Sequence, residues 1–161
     1  MVHEGKDVYG FKTIIKLFHS IKSNVHFSVG LILCISETTD NDGIQQLQNY
    51  AKEFQVDHDI FWQIGGIEGI RPLWQRTDVY IRPTSTDGDS VAVRDALAEG
   101  AHVIASDVCD RPTGTIVYSY NNDEELFEKT IKALMQNRQD TINVDKYYLQ
   151  MKSIYQTLLA E

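Results

Sequence analysis

Short apolar runs alternate with amphipathic segments along most of this 161-residue chain. The runs are rich in β-branched residues, as in residues 102–106, His-Val-Ile-Ala-Ser, and such runs are typical of strands buried on both faces. The segments between them repeat apolar residues every three or four positions, which is typical of a helix with one buried face. This alternation predicts a single α/β domain in which a Rossmann-like parallel sheet is flanked by helices.

The same pattern predicts where each element lies. Strands are expected at residues 25–35, 59–64, 78–82, 102–106 and 115–118. Helices are expected at residues 10–23, 44–54, 70–76, 90–99, 123–137 and 144–159. Gly100 follows one predicted helix at the position that favours a positive φ. Ligands of an open parallel sheet bind beyond the carboxyl ends of its strands, so function is expected in loops 36–43, 65–69, 83–90 and 107–114.

The charge and cysteine content exclude several classes of protein. Lysine and arginine number 15 against 23 aspartates and glutamates, which gives a net charge of −8 and argues against a surface that binds duplex nucleic acid. Cys34 and Cys109 stand far apart, and neither belongs to a CxxC motif. The amino terminus is too polar for a signal peptide, and no apolar run approaches about 18 residues. We therefore expect a cytoplasmic protein.

The histidines give no sign of a metal centre. His3, His19, His26, His58 and His102 are scattered without the short spacings that metal ligands show. No P-loop, nucleophile elbow or Gly-x-Gly-x-x-Gly motif occurs either. We expect neither a metal nor a resident cofactor.

The loop at residues 83–90 joins a predicted strand to a predicted helix and carries the most chemistry. Gly88 permits close approach of the backbone, and the amides of residues 89–91 lie at a positive helix end that suits a phosphate. Asp87 and Asp95 are eight positions apart and could accept hydrogen bonds from the vicinal hydroxyls of a sugar or ribose. Ordinary structural roles remain open, because Asp87 could simply cap the helix and Asp95 could be a solvated helix residue.

Arg111 follows the predicted strand 102–106, in the loop 107–114. Its guanidinium could reach a phosphate at the edge of the sheet. It could equally pair with Asp107 or Asp110.

Three blocks of sequence, in this order, resemble one known family. They are Asp-x-Tyr-x-Arg-Pro-Thr at 78–84, Asp-Gly-Asp-Ser-Val-Ala-Val-Arg-Asp-Ala-Leu-Ala-Glu-Gly at 87–100, and His-Val-Ile-Ala-Ser-Asp-Val at 102–108. The set resembles the carboxyl-terminal domain of family 4 retaining glycosyltransferases, one half of a GT-B fold. Those enzymes carry an acidic pair spaced Glu-x7-Glu, and both acids are aspartate here.

The resemblance implies a donor site for a nucleotide-diphosphate sugar. Asp87 corresponds to the first acid, a catalytic residue near the donor sugar, and Asp95 corresponds to the second, which binds the ribose. Transfer would proceed with retention and without a metal, with the leaving diphosphate stabilised by cations and helix-end amides.

The resemblance also assigns two backbone loops. Gly88, Asp89 and Ser90 match the turn whose amides meet the sugar or the diphosphate. Gly65, Gly66 and Ile67 match the loop that borders the base.

The chain departs from the family pattern in its cations and in its extent. Tyr9-Gly10 stands where the family has Lys-Gly, and Lys6 is a weak substitute for that lysine. The acceptor-binding amino-terminal domain is expected on the same or a partner chain, with peripheral membrane association of the full enzyme, and this chain alone is expected to be inactive. A non-catalytic interaction domain and a nucleotide-sugar epimerase domain remain the alternatives.

Overall fold

A computed structural model describes residues 7–35 and 41–138, together with Gln156. Its helices are α1 (Phe11–Asn24), α2 (Asn41–Glu53), α3 (Arg71–Trp74), α4 (Val91–Ala98) and α5 (Asp123–Leu134). Its strands are β1 (Leu31–Ile35), β2 (Ile60–Ile64), β3 (Val79–Arg82), β4 (His102–Ser106) and β5 (Ile116–Tyr118). Apart from Gln156, the predicted helix 144–159 lies outside the described residues.

Every pair of strands in the described part of the chain runs parallel. β1 pairs with β2 from Leu31 opposite Ile60 to Ile35 opposite Ile64. β3, β4 and β5 form a second ladder in that order. The predicted parallel α/β architecture is therefore confirmed.

Helix α1 joins the two ladders through one apolar stripe. Ile15 packs with Leu33 of β1, and Leu17 packs with Ile104 of β4. Ile81 of β3 contacts both of these apolar clusters. The 3.6-residue period of α1 places all its buried residues on one side, which is why a single helix can serve both ladders.

Helices α3 and α4 cover the face of β3 and β4 that points away from α1. Val103 neighbours Ile104 and therefore points to the other side of the sheet. It packs there with Trp74 of α3 and with Val93 and Leu97 of α4. Strand β4 is consequently buried along its whole length, as its apolar sequence predicts.

The first strand is shorter than the sequence predicts. Residues 25–30 were expected to extend it, but the ladder begins at Leu31. The cause is the partner strand, because the residues before Ile60 form a turn of 3₁₀ helix at Asp57–Asp59 and offer no ladder. Helix α2, by contrast, is longer at its start than the sequence predicts, since it includes Asn41 and the prediction began at residue 44. Asp42 lies in its first turn, where a negative charge is favourable.

Two helices are each followed by a residue in the left-handed backbone conformation. After α4, Gly100 has φ 83°, as predicted, and the amides of Gly100 and Ala101 bond the carbonyls of Leu97 and Ala96. After α2, the same bonding pattern is built around Gln55 at φ 57°. A non-glycine residue at this position carries a steric cost between Cβ and the following carbonyl.

We expect Gln55→Gly to stabilise the protein by about 0.5–1 kcal/mol, since relief of the left-handed strain exceeds the extra chain entropy of glycine. Urea denaturation measures the difference. Gly100→Ala is the converse control, with an expected loss of about 1–2 kcal/mol. A destabilised Gln55→Gly variant would contradict the geometry.

Candidate active site

The loops that follow β3 and β4 are bonded to each other at the carboxyl ends of these strands. Ser106 Oγ donates to the carbonyl oxygen of Thr84 at 2.8 Å. Cys109 Sγ lies 3.4 Å from the carbonyl oxygen of Gly88. These contacts hold the segment before α4 against the end of β4, and Asp87 lies within that segment.

Asp87 is the centre of a cluster with two arginines. Arg82, the last residue of β3, donates to both carboxylate oxygens, from Nε to Oδ2 and from Nη2 to Oδ1, each at 3.0 Å. Arg111, from the loop after β4, donates from Nη1 to Oδ2 at 2.7 Å. The Asp87 cluster, as these three residues are called below, carries one net positive charge.

The Asp87 carboxylate is buried and fully bonded. Its side chain is 8% exposed, and that of Arg111 is 2% exposed. Besides the arginines, the Gly88 amide donates to Oδ1 at 3.1 Å and Thr84 Oγ1 lies 3.4 Å from Oδ2. A carboxylate offers about four lone-pair positions, so none remains for a sugar hydroxyl in this arrangement.

The acidity of Asp87 reflects a competition between burial and its partners. Burial acts to raise the pKa of this carboxyl group, but the hydrogen bonds and charges of Arg82 and Arg111 outweigh it and lower the pKa to about 2. Asp87 is therefore ionised throughout the physiological range of pH.

The lowered pKa predicts how stability depends on pH. Because the folded-state pKa lies below the value of about 3.9 expected in the unfolded chain, the carboxylate stabilises the fold fully above pH ~4. That contribution is lost as the pH falls towards 2. The free energies of unfolding of the parent chain and of Asp87→Asn, measured by denaturation at each pH, should converge between pH ~4 and 2. A difference that stays constant over this interval would contradict the lowered pKa of Asp87.

Arg111 does not have the carboxylate partners that the sequence suggests. The structure pairs it with Asp87, not with Asp107 or Asp110. Its Nε also donates to the carbonyl oxygen of Ser106 at 2.9 Å, and Asp107 Oδ1 instead accepts from the amide of Tyr120. A guanidinium buried to this degree could reach a phosphate only if the Asp87 cluster rearranged.

The turn before α4 is exposed and holds a second ion pair. Arg94 donates to both carboxylate oxygens of Asp89, at 2.7 and 3.0 Å, and the Asp89 side chain is 63% exposed. Ser90 is the N-cap residue, but its side chain makes no capping hydrogen bond. The regular helical bonding starts with the amides of Val93 and Arg94, so the amides before them have no carbonyl one turn back.

Asp95 lies on the solvent side of α4. It is exposed, and Val91, one turn earlier on the same face, is 70% exposed. The Asp95 carboxylate can accept hydrogen bonds from the hydroxyl groups of a ligand. The Val91 side chain beside it can contact an apolar part of the same ligand.

The glycine loop after β2 begins where β1 and β2 end. The amide of Gly65, at φ 95°, donates to the carbonyl oxygen of Ile35 at 3.0 Å. Gly66 and Ile67 are exposed. Within residues 7–35 and 41–138, no hydrogen bond or ion pair joins this loop to the Asp87 cluster.

The start of α1 reaches the same region and contains residues that sequence reasoning missed. Asp7 accepts hydrogen bonds from the amides of Phe11 and Lys12, at 2.9 and 2.7 Å, and so occupies the positive end of the helix. Tyr9 lies over the Arg82 guanidinium, 5.3 Å from ring centroid to Cζ. The sequence signal for Asp7 is an aspartate just before a helical stripe. Arg82 stands in the motif at 78–84, but the motif alone assigned it no partner and no role. Lys6 lies outside the described residues.

Other features of the described chain lie elsewhere or give no site. A cavity lined by Lys22, Phe27 and Asp59, among others, lies before the amino ends of β1 and β2, away from the Asp87 cluster. Histidine, cysteine and acidic side chains form no group of three able to hold a metal in residues 7–35 and 41–138. In those residues no helix has the length and apolarity needed to cross a membrane.

The structure is similar to solved glycosyltransferases. Sucrose-phosphate synthase from Thermosynechococcus elongatus superposes with a TM-score of 0.71 at 17% identity, over 96% of this chain and 43% of that one. The C-terminal domain of a glycosyl transferase group 1 family protein from Francisella tularensis gives 0.66 at 14% identity, over 81% and 71%. A trehalose-6-phosphate synthase used to study glycosyl transfer with retention gives 0.66 at 9% identity, over 82% and 36%.

These similarities are structural alone. No protein-family model and no curated protein matches the sequence. At such low identities the likeness shows the fold. The chain spans less than half the length of the two synthases and most of the separate C-terminal domain.

Proposed function

We propose that this chain, which has the fold of the carboxyl-terminal domain of GT-B glycosyltransferases, binds a nucleotide-diphosphate sugar as the donor half of a glycosyltransferase. The transfer itself requires an acceptor-binding domain on the same or a partner chain. We expect the isolated chain to bind the donor without turning it over.

The Asp87 cluster carries this proposal. Two arginines against one carboxylate leave a positive charge at the carboxyl ends of β3 and β4, beside the first amides of α4. A diphosphate favours such a place, because local cations and helix-end amides can attract it although the chain as a whole is acidic. Of the two arginines in the cluster Arg82 is the more exposed, with 22% of its side chain accessible against 2% for Arg111.

The remaining residues take roles that follow from their exposure. Asp95 is open to solvent and is the proposed acceptor for the ribose hydroxyls. The amides of Gly88, Asp89 and Ser90 are proposed to face the diphosphate or the sugar. The loop at Gly65, Gly66 and Ile67, in which Gly66 and Ile67 are exposed, is proposed to border the base.

Asp87 fits a positioning role better than direct contact with the sugar. Its oxygens already accept hydrogen bonds from Arg82, Arg111 and Gly88. A carboxylate bonded in this way fixes the orientation of the two guanidinium groups and partly neutralises their positive charge. Its contact with the donor sugar, as implied by the family resemblance, stays a prediction.

Calorimetry with uridine and guanosine diphosphates and their sugar conjugates tests the proposal. We expect binding by the folded chain and a loss of about 10–100-fold in affinity for Asp95→Asn, because a hydrogen bond to a charged group contributes about 1.5–3 kcal/mol. Glu128→Gln is the matched control, since it removes an exposed helical carboxylate from α5. Absence of binding at millimolar ligand, or equal affinity of the two variants, would refute a donor site at α4.

A non-catalytic interaction domain is the second candidate, and the internal ion pairs favour it. Asp87 pairs with Arg82 and Arg111, the cations of the proposed diphosphate site, and Asp89 pairs with Arg94 in the turn before α4. Asp7 occupies the amino end of α1 in the same region. In that case no nucleoside diphosphate binds, and Asp95→Asn leaves the affinity for a protein partner unchanged. The same calorimetric series therefore separates the two candidates.

A further inference from the structure

The Arg82 guanidinium is held along its edge by Asp87 and on one face by Tyr9. Arg82 Nε and Nη2 donate to the two carboxylate oxygens of Asp87. Arg82 Cζ lies 5.3 Å from the centroid of the Tyr9 ring. The face of an aromatic ring attracts a cation at this distance, and arginine is the commonest partner. Tyr9 therefore contacts the cation on which the proposed donor site depends, without belonging to that site.

The backbone on both sides of Tyr9 is fixed to the segment that follows β3. The amide of Ser85 donates to the carbonyl oxygen of Val8 at 3.0 Å. Gly10 packs directly against Pro83, the first residue after the strand. These two contacts lie on either side of Tyr9, so the ring has a defined place beside the end of β3.

The turn that carries Tyr9 is also closed from the side of α1. Asp7 accepts hydrogen bonds from the amides of Phe11 and Lys12, at 2.9 and 2.7 Å. The amide of Gly10 donates to the carbonyl oxygen of Asp7 at 3.1 Å. The rings of Tyr9 and Phe11 lie 6.0 Å apart between their centroids. The position of the Tyr9 ring is therefore set by the fold and not by Arg82 alone.

A guanidinium held in this way keeps donors for a ligand. It carries five N–H groups, and the pair with Asp87 uses two of them. A phosphate oxygen can therefore bind Arg82 while the pair with Asp87 stays intact. An arginine side chain has many rotamers, and immobilising it at the moment of binding costs entropy. The Tyr9 ring restricts these rotamers before the ligand arrives, which lowers that cost.

The chain contains a second pair of the same kind that lies apart from the candidate site. Lys12 Nζ lies 5.6 Å from the centroid of the Tyr50 ring, which α2 carries. Tyr50 and Tyr9 are both half-buried, and Tyr50 packs on Phe54 at 5.0 Å between centroids. Removal of the Tyr50 ring therefore imitates the loss of a half-buried tyrosine over a cation without changing Arg82.

We propose that Tyr9 is a positioning residue of the donor site, whose ring holds the Arg82 guanidinium in the orientation that receives the diphosphate. In this role the ring acts through Arg82. The inference rests on the proposed function, because it requires that a nucleoside diphosphate binds at the Asp87 cluster.

Calorimetry of the full chain with uridine and guanosine diphosphates tests this role. Leucine keeps an apolar side chain but removes the aromatic face, so we expect Tyr9→Leu to lower the affinity about 3–10-fold. Phenylalanine keeps the face, and we expect Tyr9→Phe to stay within about twofold of the parent chain. Tyr50→Leu is the matched control and should leave the affinity unchanged.

A double-mutant cycle shows whether Tyr9 acts through Arg82. In an Arg82→Gln background, Tyr9→Leu should cause no further loss of affinity, as expected for two groups that share one interaction. A further loss as large as that in the parent chain would overturn the proposal. If Arg82→Gln does not fold, the comparison of Tyr9→Leu with Tyr9→Phe decides alone, and equal losses in these two variants would rule out a role of the aromatic face.

The remaining outcomes separate this inference from the function on which it rests. Absence of diphosphate binding by the parent chain would refute the donor site, and the role of Tyr9 with it. Binding by the parent chain with equal affinity for Tyr9→Leu would refute the role of Tyr9 alone. A gain in affinity for Tyr9→Leu would also refute it, because the ring would then hold Arg82 away from the ligand.

Discussion

Asp87→Ala is expected to destabilise the fold by about 3–5 kcal/mol, the usual cost of removing one member of a buried ion pair. The substitution leaves the Arg111 guanidinium, 2% exposed, without its counter-ion. It also frees Arg82 and the Gly88 amide from their shared acceptor. Urea denaturation at neutral pH measures the loss.

Two further variants show whether burial of the pair is the cause. Asp89→Ala removes the carboxylate of the exposed pair with Arg94, and we expect a change below about 1 kcal/mol. Combining Asp87→Ala with Arg111→Met removes the stranded charge, so the double variant should lose at least about 1 kcal/mol less than the sum of the single losses. Simple additivity would argue against a coupled buried pair.

Gly10→Ala is expected to destabilise the protein by about 2–5 kcal/mol, which combines left-handed strain with overpacking. Gly10 has φ 70° and begins α1 directly against Pro83. A Cβ atom there would lie 2.5 Å from the Pro83 carbonyl oxygen and 2.7 Å from its Cγ. Because one neighbour is backbone, α1 or the end of β3 would have to move.

Gly66→Ala is the matched control for this contact. Gly66 has no positive φ, and a Cβ atom added to it meets nothing within 4 Å. We expect a change within about 0.5 kcal/mol. If Gly10→Ala were tolerated equally well, the close packing of α1 on Pro83 would be disproved.

Gly10 also links the start of α1 to the candidate site. Ser85, two residues before Asp87, donates its amide to the carbonyl oxygen of Val8 at 3.0 Å. Tyr9 lies over Arg82. A shift of α1 caused by Gly10→Ala should therefore weaken donor binding as well as the fold, although Gly10 has no proposed contact with the donor.

Elements with a strong local pattern could be predicted from the sequence. Strand β4 lies at His102–Ser106 as expected, because a run buried on both faces needs apolar residues without interruption. The turn at Gly100 was also predictable, since its positive φ is a local demand. The length of β1 was not, because a strand extends only as far as its partner, and Asp57–Asp59 form a turn instead.

By itself the sequence determined the parallel α/β architecture, the order of its elements and the loop in which Asp87, Gly88 and Asp89 lie. These depend on the periodicity of apolar residues and on turn chemistry, which act over a few neighbouring positions. Only the tertiary structure decided that Asp87 binds Arg111, 24 positions away, and that Asp7 occupies the start of α1. Charged side chains pair with whatever the fold brings within about 3 Å, so the partners of Asp87 depend on how the ends of β3 and β4 meet.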